Sequence, residues 1–218
     1  MKVFRSTEGI DQVKNPVLSI GTFDGVHLGH KIILDRLNKE AERLNGESLL
    51  LTFWPHPRMV LQPDFKELRL LNTMEEKLHL LEQAGLQNVL VWPFDVAFSR
   101  IDSHEFIRSI LVETIKMKKI IIGYDHHFGR NREGSYSVLE DFQPIFDFEL
   151  EEISAKQVDE INVSSTKVRK ALFSGEMEAS KTFLGYNYFI KGTVVKGHQM
   201  GKTLGFPTAN VQVNYPFK

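Results

Sequence analysis

Short apolar runs alternate along the chain with longer segments in which apolar residues recur at helical spacing. The short runs are rich in branched residues and end at glycine, proline or a polar cluster, which is typical of strands buried on both faces. The predicted strands are Val17–Ile20, Ser48–Phe53, Asn88–Trp92 and Lys119–Ile122. Their composition favours a parallel sheet that is covered by helices.

Three segments between or after these runs have the pattern of amphipathic helices. The predicted helices run from Ile33 to Leu44, from Thr73 to Gly85 and from Ser103 to Thr114. Asn45 and Gly46 end the first pattern, and Thr73 begins the second as an N-cap with Glu76 three positions later. Strands that alternate with helices imply crossover connections, a parallel sheet and ligands at the carboxyl ends of its strands. The predicted fold class is a Rossmann-like α/β domain.

The pattern changes near Phe183. The string GYNYFIKGTVVKG has strand-like alternation, and GKTLGFPTANVQV then replaces helical periodicity with glycine, proline and threonine. We therefore predict two domains. Residues 1–182 form the α/β domain, and residues 183–218 form the opening strands of a truncated all-β module.

Charge and composition limit the classes of partner. The chain has 27 basic and 28 acidic side chains, a formal net charge of -1 and no cysteine. This balance predicts no broad surface for nucleic acid or anionic membrane, and the lack of cysteine excludes disulfides, thiolate metal sites and a cysteine nucleophile. The first residues, MKVFRSTEGIDQVKN, lack the apolar core of a signal peptide. We expect a soluble cytoplasmic protein that acts on small molecules.

The string SIGTFDGVHLGHKIIL connects the first predicted strand to the first predicted helix. Gly21 and Gly25 permit tight turns there, and Gly29 permits a close approach. His27 and His30 fall at the N-terminal end of the helix, where free N–H groups and the helix dipole favour an anion. Imidazole N–H groups at such a place can bind phosphate and stabilise the charge of a transition state. We interpret the string as a phosphate-binding loop.

Two other interpretations of this string stay open from the residues alone. A glycine-rich turn between a strand and a helix can carry two surface histidines that bind nothing. A metal site would need a third ligand, for which His56, His126 and His127 are candidates, but no zincin-type glutamate stands between His27 and His30.

A second candidate anion site is the string VSSTKVRKAL, in which hydroxyl residues precede a predicted helix. Ser165 and Thr166 can donate to phosphate oxygens near the helix start, and Arg169 can bind phosphate with two parallel hydrogen bonds. Serine and threonine are also the usual N-caps, so the string is ambiguous by itself. Its combination with the histidine string favours a nucleotide site.

An HxGH element early in the chain and a Ser/Thr–Lys/Arg loop late in it resemble the nucleotidyltransferase superfamily. The chain resembles more closely the bacterial bifunctional riboflavin kinase/FMN adenylyltransferases, which are the prokaryotic FAD synthetases. The strings that carry this resemblance are TFWPHPR (52–58), GYDHHFGRNREG (123–134), SSTKVR (164–169) and GKTLGFPTAN (201–210). They occur in the family's order and span nearly the whole chain.

The resemblance implies the reaction FMN + ATP → FAD + pyrophosphate, with Mg²⁺ as cofactor. It implies that His27, His30 and Arg169 are the catalytic residues. The residues implied in ATP binding are Gly21, Phe23, Asp24, Ser165 and Thr166. The residues implied on the flavin side are His56, Pro57, Asp125 and Phe128, although Phe128 is equally typical of a core aromatic. A catalytically inactive flavin- or nucleotide-binding protein, and an adenylyltransferase for another phosphorylated acceptor, stay open as alternatives.

Two parts of the chain qualify the resemblance. His126 and His127 stand where the family more often has Phe-Arg, which introduces a pH dependence near neutrality. The string GKTLGFPTAN resembles the opening nucleotide loop of the riboflavin kinase barrel, in which Thr208 and Asn210 would serve ATP and Mg²⁺. It is not a P-loop, because the glycine that a P-loop requires is Lys196. We expect riboflavin kinase activity to be lost through truncation, and deletion from Phe183 onward to leave adenylyl transfer largely unchanged.

Overall fold

A computed structural model describes residues 1–62, 69–124, 126–154, 163–213 and 215. The strands of its main sheet are β1 (Lys2–Phe4), β2 (Val17–Ile20), β3 (Ser48–Trp54), β4 (Asn88–Pro93), β5 (Lys119–Gly123) and β6 (Glu149–Ile153). The α-helices around that sheet are α1 (Leu28–Arg43), α2 (Pro57–Leu61), α3 (Met74–Gln83), α4 (Ser103–Glu105), α5 (Tyr136–Phe146), α6 (Ser165–Phe173) and α7 (Met177–Leu184). Helix α4 continues directly into a π-helix, Phe106–Thr114, and single 3₁₀ turns cover Ile10–Gln12, Phe98–Arg100 and Arg130–Arg132. A separate pair of strands, β7 (Thr193–Val195) and β8 (Asn210–Gln212), flanks the one-turn helix α8 (Met200–Thr203).

The main sheet has the strand order β1-β4-β3-β2-β5-β6, and every neighbouring pair in it is parallel. The chain builds outward from β2 in one direction with β3 and β4, and then crosses over to β5 and β6 on the other side. The order therefore reverses between β2 and β5, and the carboxyl ends of these strands border the crevice where such sheets bind ligands. The predicted Rossmann-like α/β fold is confirmed.

Successive residues of the central strands enter two different cores, one on each face of the sheet. Leu49 and Leu51 of β3 pack with the π-helix and α5, whereas Leu50 packs with α1 and α3. Ile121 of β5 joins the α1 side in the same way. Each leucine buried in this manner contributes about 2 kcal/mol relative to an exposed one. The continuous apolar runs in the sequence follow from this burial on both faces.

The helix boundaries follow local signals. The Thr73 side chain accepts a hydrogen bond from the Glu76 amide at 3.2 Å, and the Glu76 carboxylate accepts one from the Thr73 amide at 2.8 Å. The predicted capping box of α3 is therefore confirmed. Helix α1 ends where predicted, with Asn45 in the left-handed region at φ 48°. No helix among the described residues combines the length and apolar character that crossing a bilayer requires.

The two edge strands, β1 and β6, were not predicted from the sequence. Strand β6 reads ELEEI, and its Glu149 and Glu151 side chains form ion pairs with cations of α1 and β5. Strand β1 is three residues long and pairs with β4 alone. Apolar runs signal strands that are covered on both sides, so these half-covered edges lacked that signal.

The chain just after residue 182 is part of the α/β core. Leu184 is fully buried in a cluster with Leu71, Val163 and Val168. The Tyr186 hydroxyl donates to the Gly25 carbonyl at 2.7 Å. The domain boundary at 182/183 stays a prediction, but these contacts argue against the expectation that everything after Phe183 is dispensable.

Strands β7 and β8 form a small antiparallel sheet whose residues are all exposed. Its valines, Val194 and Val211, are 67% and 53% exposed, and Phe206 in the connecting loop is 78% exposed. An antiparallel pair with uncovered apolar side chains fits the opening of a β-barrel, as predicted.

Candidate active site

The loop between β2 and α1 lies at the carboxyl edge of the sheet, beside the reversal of strand order. The Gly21 amide donates to the Leu51 carbonyl of β3, so the loop begins anchored to the neighbouring strand. Two bulky residues in the loop have positive φ, Phe23 at 48° and Val26 at 36°, and both are buried. Such conformations cost about 1 kcal/mol or more each and persist where packing enforces them. The loop thus carries backbone strain at the edge where ligands are expected.

Gly25 has φ +88°, and a Cβ there would come 2.5 Å from Cδ1 of Leu71. Gly29 lies between the His27 ring and Val163, where a Cβ would contact both at 3.3 to 3.4 Å. The predicted close approach at Gly29 is therefore confirmed, and its partner is the residue before the N-cap of α6.

His27 and His30 stack on each other at the start of α1. Their ring centroids are 3.7 Å apart with an interplanar angle of 16°, and the Phe23 ring stacks on His30 at 4.6 Å. His27 is the N-cap of α1, and its Nδ1 accepts a hydrogen bond from the His30 amide at 3.4 Å. The Nδ1 atom of His30 is buried and has no hydrogen-bond partner among the described residues. Both rings are therefore tightly packed, and one of their nitrogen atoms lacks a hydrogen bond.

Burial keeps both imidazoles neutral. Burial lowers the pKa of His27 to about 4; the charge of Asp24 opposes this shift, and the charge of Arg169 adds a smaller lowering effect. Burial, followed by the effects of His27 and Lys77, holds the pKa of His30 well below its ordinary value. Because Nδ1 of His27 accepts a hydrogen bond, the single proton of the neutral ring lies on Nε2, which can donate to a ligand.

Asp24 connects the loop to the segment before α3 and to α6. Its carboxylate accepts hydrogen bonds from the Leu71 amide at 2.9 Å and the Asn72 amide at 3.3 Å. An ion pair of 2.6 Å joins its Oδ2 to Arg169, whose Nε also donates to the Arg69 carbonyl at 2.6 Å. Asp24 is 5% exposed, so this carboxylate anchors the loop to both segments. Arg169 is held at the loop by a charge-assisted bond.

Helix α6 lies against the same loop. Ser164 is its N-cap and accepts from the Lys167 amide at 3.3 Å, which is the ordinary role that serine has there. The Ser165 hydroxyl donates to the Asp24 carbonyl at 2.8 Å, and Thr166 is exposed. The structure therefore brings Ser165 and Arg169 to the histidine loop and leaves Thr166 facing solvent.

A narrow cleft beside the loop is lined by His56, one of the residues assigned to the flavin side. Strand β3 ends at Trp54, His56 is the N-cap of α2, and Pro57 is the first helical residue. His56 Nδ1 accepts from the Arg58 amide at 3.2 Å, and burial, followed by the charge of Lys77, lowers the pKa of His56 to about 4. The residues that line the cleft are Thr22, Asp24, Phe53, Trp54, His56, Leu70, Asn72, Met74 and Lys77.

The other residues assigned to the flavin side follow β5. Phe128 is 7% exposed and packs on Phe106 of the π-helix with ring centroids 5.6 Å apart, so it is a core aromatic in this structure. Asp125 lies outside the described residues. The His126 ring stacks on Phe128 at 6.1 Å, and His127 is exposed.

Lys77 of α3 is a residue of this edge that the sequence analysis missed. Its ammonium group donates to the Thr22 carbonyl at 3.0 Å and to the Thr52 hydroxyl at 3.1 Å. Burial lowers its pKa to about 8, against the opposing attraction of Asp24. In the sequence it belongs to the polar string MEEK at a helix start, which is typical of a solvated surface.

The predicted kinase-module residues lie at the start of β8 and just before it. Thr208 and Asn210 are both exposed, and Asn210 opens β8. A Cβ at Gly201 would contact the Thr208 hydroxyl at 3.1 Å, and a Cβ at Gly197 would overlap the Asn210 amide. Gly197 and Gly201 therefore let this part of the chain fold closely on itself.

No group of three or more His, Cys, Asp or Glu side chains in the described ranges could hold a metal. Mg²⁺ prefers carboxylate and phosphate oxygens and keeps part of its coordination for substrate phosphates. The described carboxylates near this edge are Asp24, whose oxygens are bound to Arg169 and to backbone amides, and Glu76, whose oxygens accept the amides of Thr73 and Lys191. These residues fit a magnesium ion that arrives on a nucleotide, and they do not form a resident metal centre.

The fold and this edge together define an α/β nucleotidyltransferase-like protein with an HxGH loop. The FAD synthetase family model matches residues 10–167, and the riboflavin kinase model matches residues 184–217. The chain belongs to the FAD synthetase family.

Curated relatives agree with this assignment, and a solved structure has the same fold. Bifunctional riboflavin kinase/FMN adenylyltransferases from Listeria monocytogenes and Escherichia coli K12 are each 34% identical to the chain, over 92% and 97% of its length. The chain spans 63% and 68% of the length of these two relatives. A structure described as a macrolide-efflux protein from Streptococcus pneumoniae matches with a TM-score of 0.84, 24% identity, and coverage of 99% of this chain and 70% of the other. At that identity the likeness shows the fold alone.

Proposed function

We propose that this chain transfers the adenylyl group of ATP to the phosphate of FMN, giving FAD and pyrophosphate. Membership of the FAD synthetase family supports this function. The observation that carries it is the stacked His27–His30 pair at the start of α1, next to Arg169 and the start of α6. Two helix N-termini and a guanidinium at one edge of a parallel sheet suit a polyphosphate.

The chemistry needs no proton to leave the nucleophile. A phosphate oxygen of FMN attacks the α-phosphorus of ATP, and the bond from that phosphorus to the oxygen bridging to the β-phosphate breaks. Pyrophosphate leaves with the electron pair, and Mg²⁺ enters with ATP as part of that substrate. Catalysis is then a matter of alignment and of stabilising the charge that grows on the leaving group. Neutral histidines suit this task because they act as hydrogen-bond donors.

His27 and His30 are proposed to donate to the oxygens of the triphosphate. The Nε2 proton of His27 is available, because Nδ1 is bound to the His30 amide. His30 is fixed by rings on both sides and therefore needs little reorganisation when ATP binds. Arg169, held by Asp24, and Ser165 are proposed to contact phosphates from the α6 side.

Replacement of His30 tests this function. His30→Ala should lower the rate of FAD formation from FMN and ATP on the order of 100-fold, since one lost transition-state donor typically has that effect. The matched control is His79→Ala, which removes an exposed histidine from α3. Thermal unfolding of both variants reports whether the fold persists. A folded His30→Ala protein with wild-type turnover contradicts the proposed role.

The wild-type protein decides between this function and its alternatives. Binding of FMN and ATP without FAD formation would indicate an inactive binding protein, and turnover of a different phosphorylated acceptor would indicate another adenylyltransferase. The expectation that residues 184–217 do not phosphorylate riboflavin stays a prediction, and riboflavin offered with ATP is its assay.

A further inference from the structure

Lys77 is a buried cation whose hydrogen bonds go to uncharged groups. Its ammonium nitrogen bonds to the Thr22 carbonyl of the histidine loop and to the Thr52 hydroxyl near the end of β3. Lys77 is 7% exposed, and no carboxylate among the described residues lies within ion-pair distance of it. A buried ammonium is costly without a counter-charge, so its retention here needs a reason.

The carboxylates near Lys77 are already used by other groups. Asp24 is ion-paired with Arg169 at 2.6 Å and accepts two backbone amides. Glu76, the neighbour of Lys77 in α3, accepts the amides of Thr73 and Lys191. His30 and His56, whose pKa values the charge of Lys77 helps to lower, are neutral. The ammonium group thus has one proton left for an incoming acceptor, and the cleft has a positive charge left for an anion.

The wall of the cleft that contains Lys77 has both apolar and polar parts. Phe53, Trp54 and Met74 supply apolar and aromatic surface, and His56 and Lys77 supply hydrogen-bond donors. The space between these residues is narrow, so a ligand that fits places an anionic group at Lys77 and an apolar body against the partly exposed Phe53 and Trp54. Lys77 also lies between the two halves of the site, because its charge acts on His30 of the nucleotide loop and on His56 of the cleft.

We infer that Lys77 binds the phosphate of the acceptor and makes this cleft select a phosphorylated flavin over an unphosphorylated one. This inference rests on the proposed function, because it names the group that distinguishes FMN from riboflavin at the same site. The phosphate replaces the missing counter-charge of the buried ammonium, while the flavin ring covers the apolar wall. Riboflavin has the same ring and leaves the ammonium unpaired, so it loses the stronger, charge-assisted part of the interaction.

Flavin binding without ATP tests the inference independently of turnover. Quenching of flavin fluorescence gives dissociation constants of FMN and riboflavin for the wild type, Lys77→Met, Lys77→Arg and the control Lys39→Met. Lys39 is exposed on α1, so its variant loses the same charge away from the cleft. Lys77→Met should raise the dissociation constant of FMN tenfold or more and that of riboflavin less than twofold, because only FMN makes the charged contact. Lys77→Arg should recover part of the FMN affinity, and Lys39→Met should change the affinity for neither flavin.

The changes in flavin affinity show whether only the inference on Lys77 fails or the proposed function fails as well. Equal losses of FMN and riboflavin in Lys77→Met, or an unchanged preference between them, overturn the inference and leave adenylyl transfer standing. A wild-type protein that binds neither flavin overturns the proposed function and this inference with it.

If Lys77→Met does not fold, the pH dependence of flavin binding by the wild-type protein tests the same inference. In the wild type, a lysine with a pKa of about 8 changes from mostly charged at pH 7 to mostly neutral at pH 9. FMN affinity should therefore fall about tenfold over that range if binding requires the charged form, while riboflavin affinity stays level. FMN affinity that does not change between pH 7 and pH 9 overturns the inference.

Discussion

The two ends of the parallel sheet each contain a buried lysine, and the two lysines have opposite surroundings. At the amino end, Lys119 of β5 contacts Glu151 at 2.6 Å and Glu40 at 2.7 Å, and Arg36 and Arg43 complete the network. At the carboxyl end, Lys77 contacts a carbonyl and a hydroxyl. One cation is fully paired within the protein, and the other is satisfied only in part.

This difference separates a structural region from a functional one. Burial opposes the charged form of Lys119, but the hydrogen bonds that it donates to Glu151 and Glu40 raise its pKa. Burial has the larger effect at Lys77 and lowers its pKa to about 8. The amino end therefore has its charges balanced before any ligand arrives. The strained loop, the neutral histidines and the unbalanced lysine all belong to the carboxyl end, where a ligand can complete them.

The largest expected effect is that of removing the residues after Thr182, which support the carboxyl end of the sheet and not its amino end. A chain ending at Thr182 loses the fully buried Leu184 and the Tyr186 hydroxyl bond to Gly25, which support the carboxyl end. We expect it to lose about 4 kcal/mol or more of unfolding free energy, and with it FAD formation. Urea unfolding monitored by circular dichroism measures this loss.

The matched control is a chain ending at Gly192, which keeps those contacts and the Lys191 amide bond to Glu76. It loses the exposed small sheet and the contacts of Tyr215, which include a ring contact with Trp54. Its stability should stay within about 1 kcal/mol of the full chain. Equal behaviour of the two truncations would contradict the assignment of residues 183–191 to the α/β core.

Replacing each lysine by methionine should separate stability from binding. Lys119→Met removes the buried cation that Glu40 and Glu151 share, although Arg36 still contacts both, and should cost about 2 kcal/mol of unfolding free energy, with flavin affinity unchanged. Lys77→Met leaves no carboxylate unpaired and should change stability by less than about 1 kcal/mol. Chemical unfolding of the two variants makes the comparison. A larger stability loss in Lys77→Met would show that both lysines are structural.

Acid should weaken the carboxyl end before the amino end. The pKa of His27 and of His56 is about 4 in the folded protein and 6.5 when exposed, so protons favour the unfolded chain as the pH falls from 6.5 towards 4. At pH 5 each such histidine should cost about 2 kcal/mol relative to pH 7. Hydrogen bonds from Lys119 and Arg43 overcome burial and lower the pKa of Glu40 to about 2, so its contribution is lost only as the pH falls from 4.5 towards 2.

Unfolding free energies at pH 7, 6, 5 and 4 measure this order of events. His56→Gln should flatten the decline between pH 6.5 and 4.5, whereas Glu40→Gln should leave that part of the profile unchanged in shape. A decline that begins only below pH 4.5 in the wild type would contradict the neutral, buried state of the histidines.

Several features of this protein were determined by the sequence alone, because the groups involved lie close together along the chain. The capping box of Thr73 and Glu76 joins residues one helical turn apart, and the end of α1 depends on Asn45 and its neighbour. The four central strands carry their own signal, since burial on both faces requires continuous apolar residues. The HxGH string places its histidines at a helix start for the same local reason.

Other features were decided only by the tertiary structure, because they depend on which distant segments meet. Lys77 belongs to a string that is typical of a solvated helix face, and it becomes a buried cation because α3 lies over the ends of β2 and β3. Phe128 had equal reason to face a ligand or the core, and packing against the π-helix places it in the core. Tyr186 joined the α/β core through a carbonyl that lies 161 residues earlier in the chain. Burial is a property of the folded assembly of segments, so local patterns determine the elements and long-range packing determines which side chains form the site.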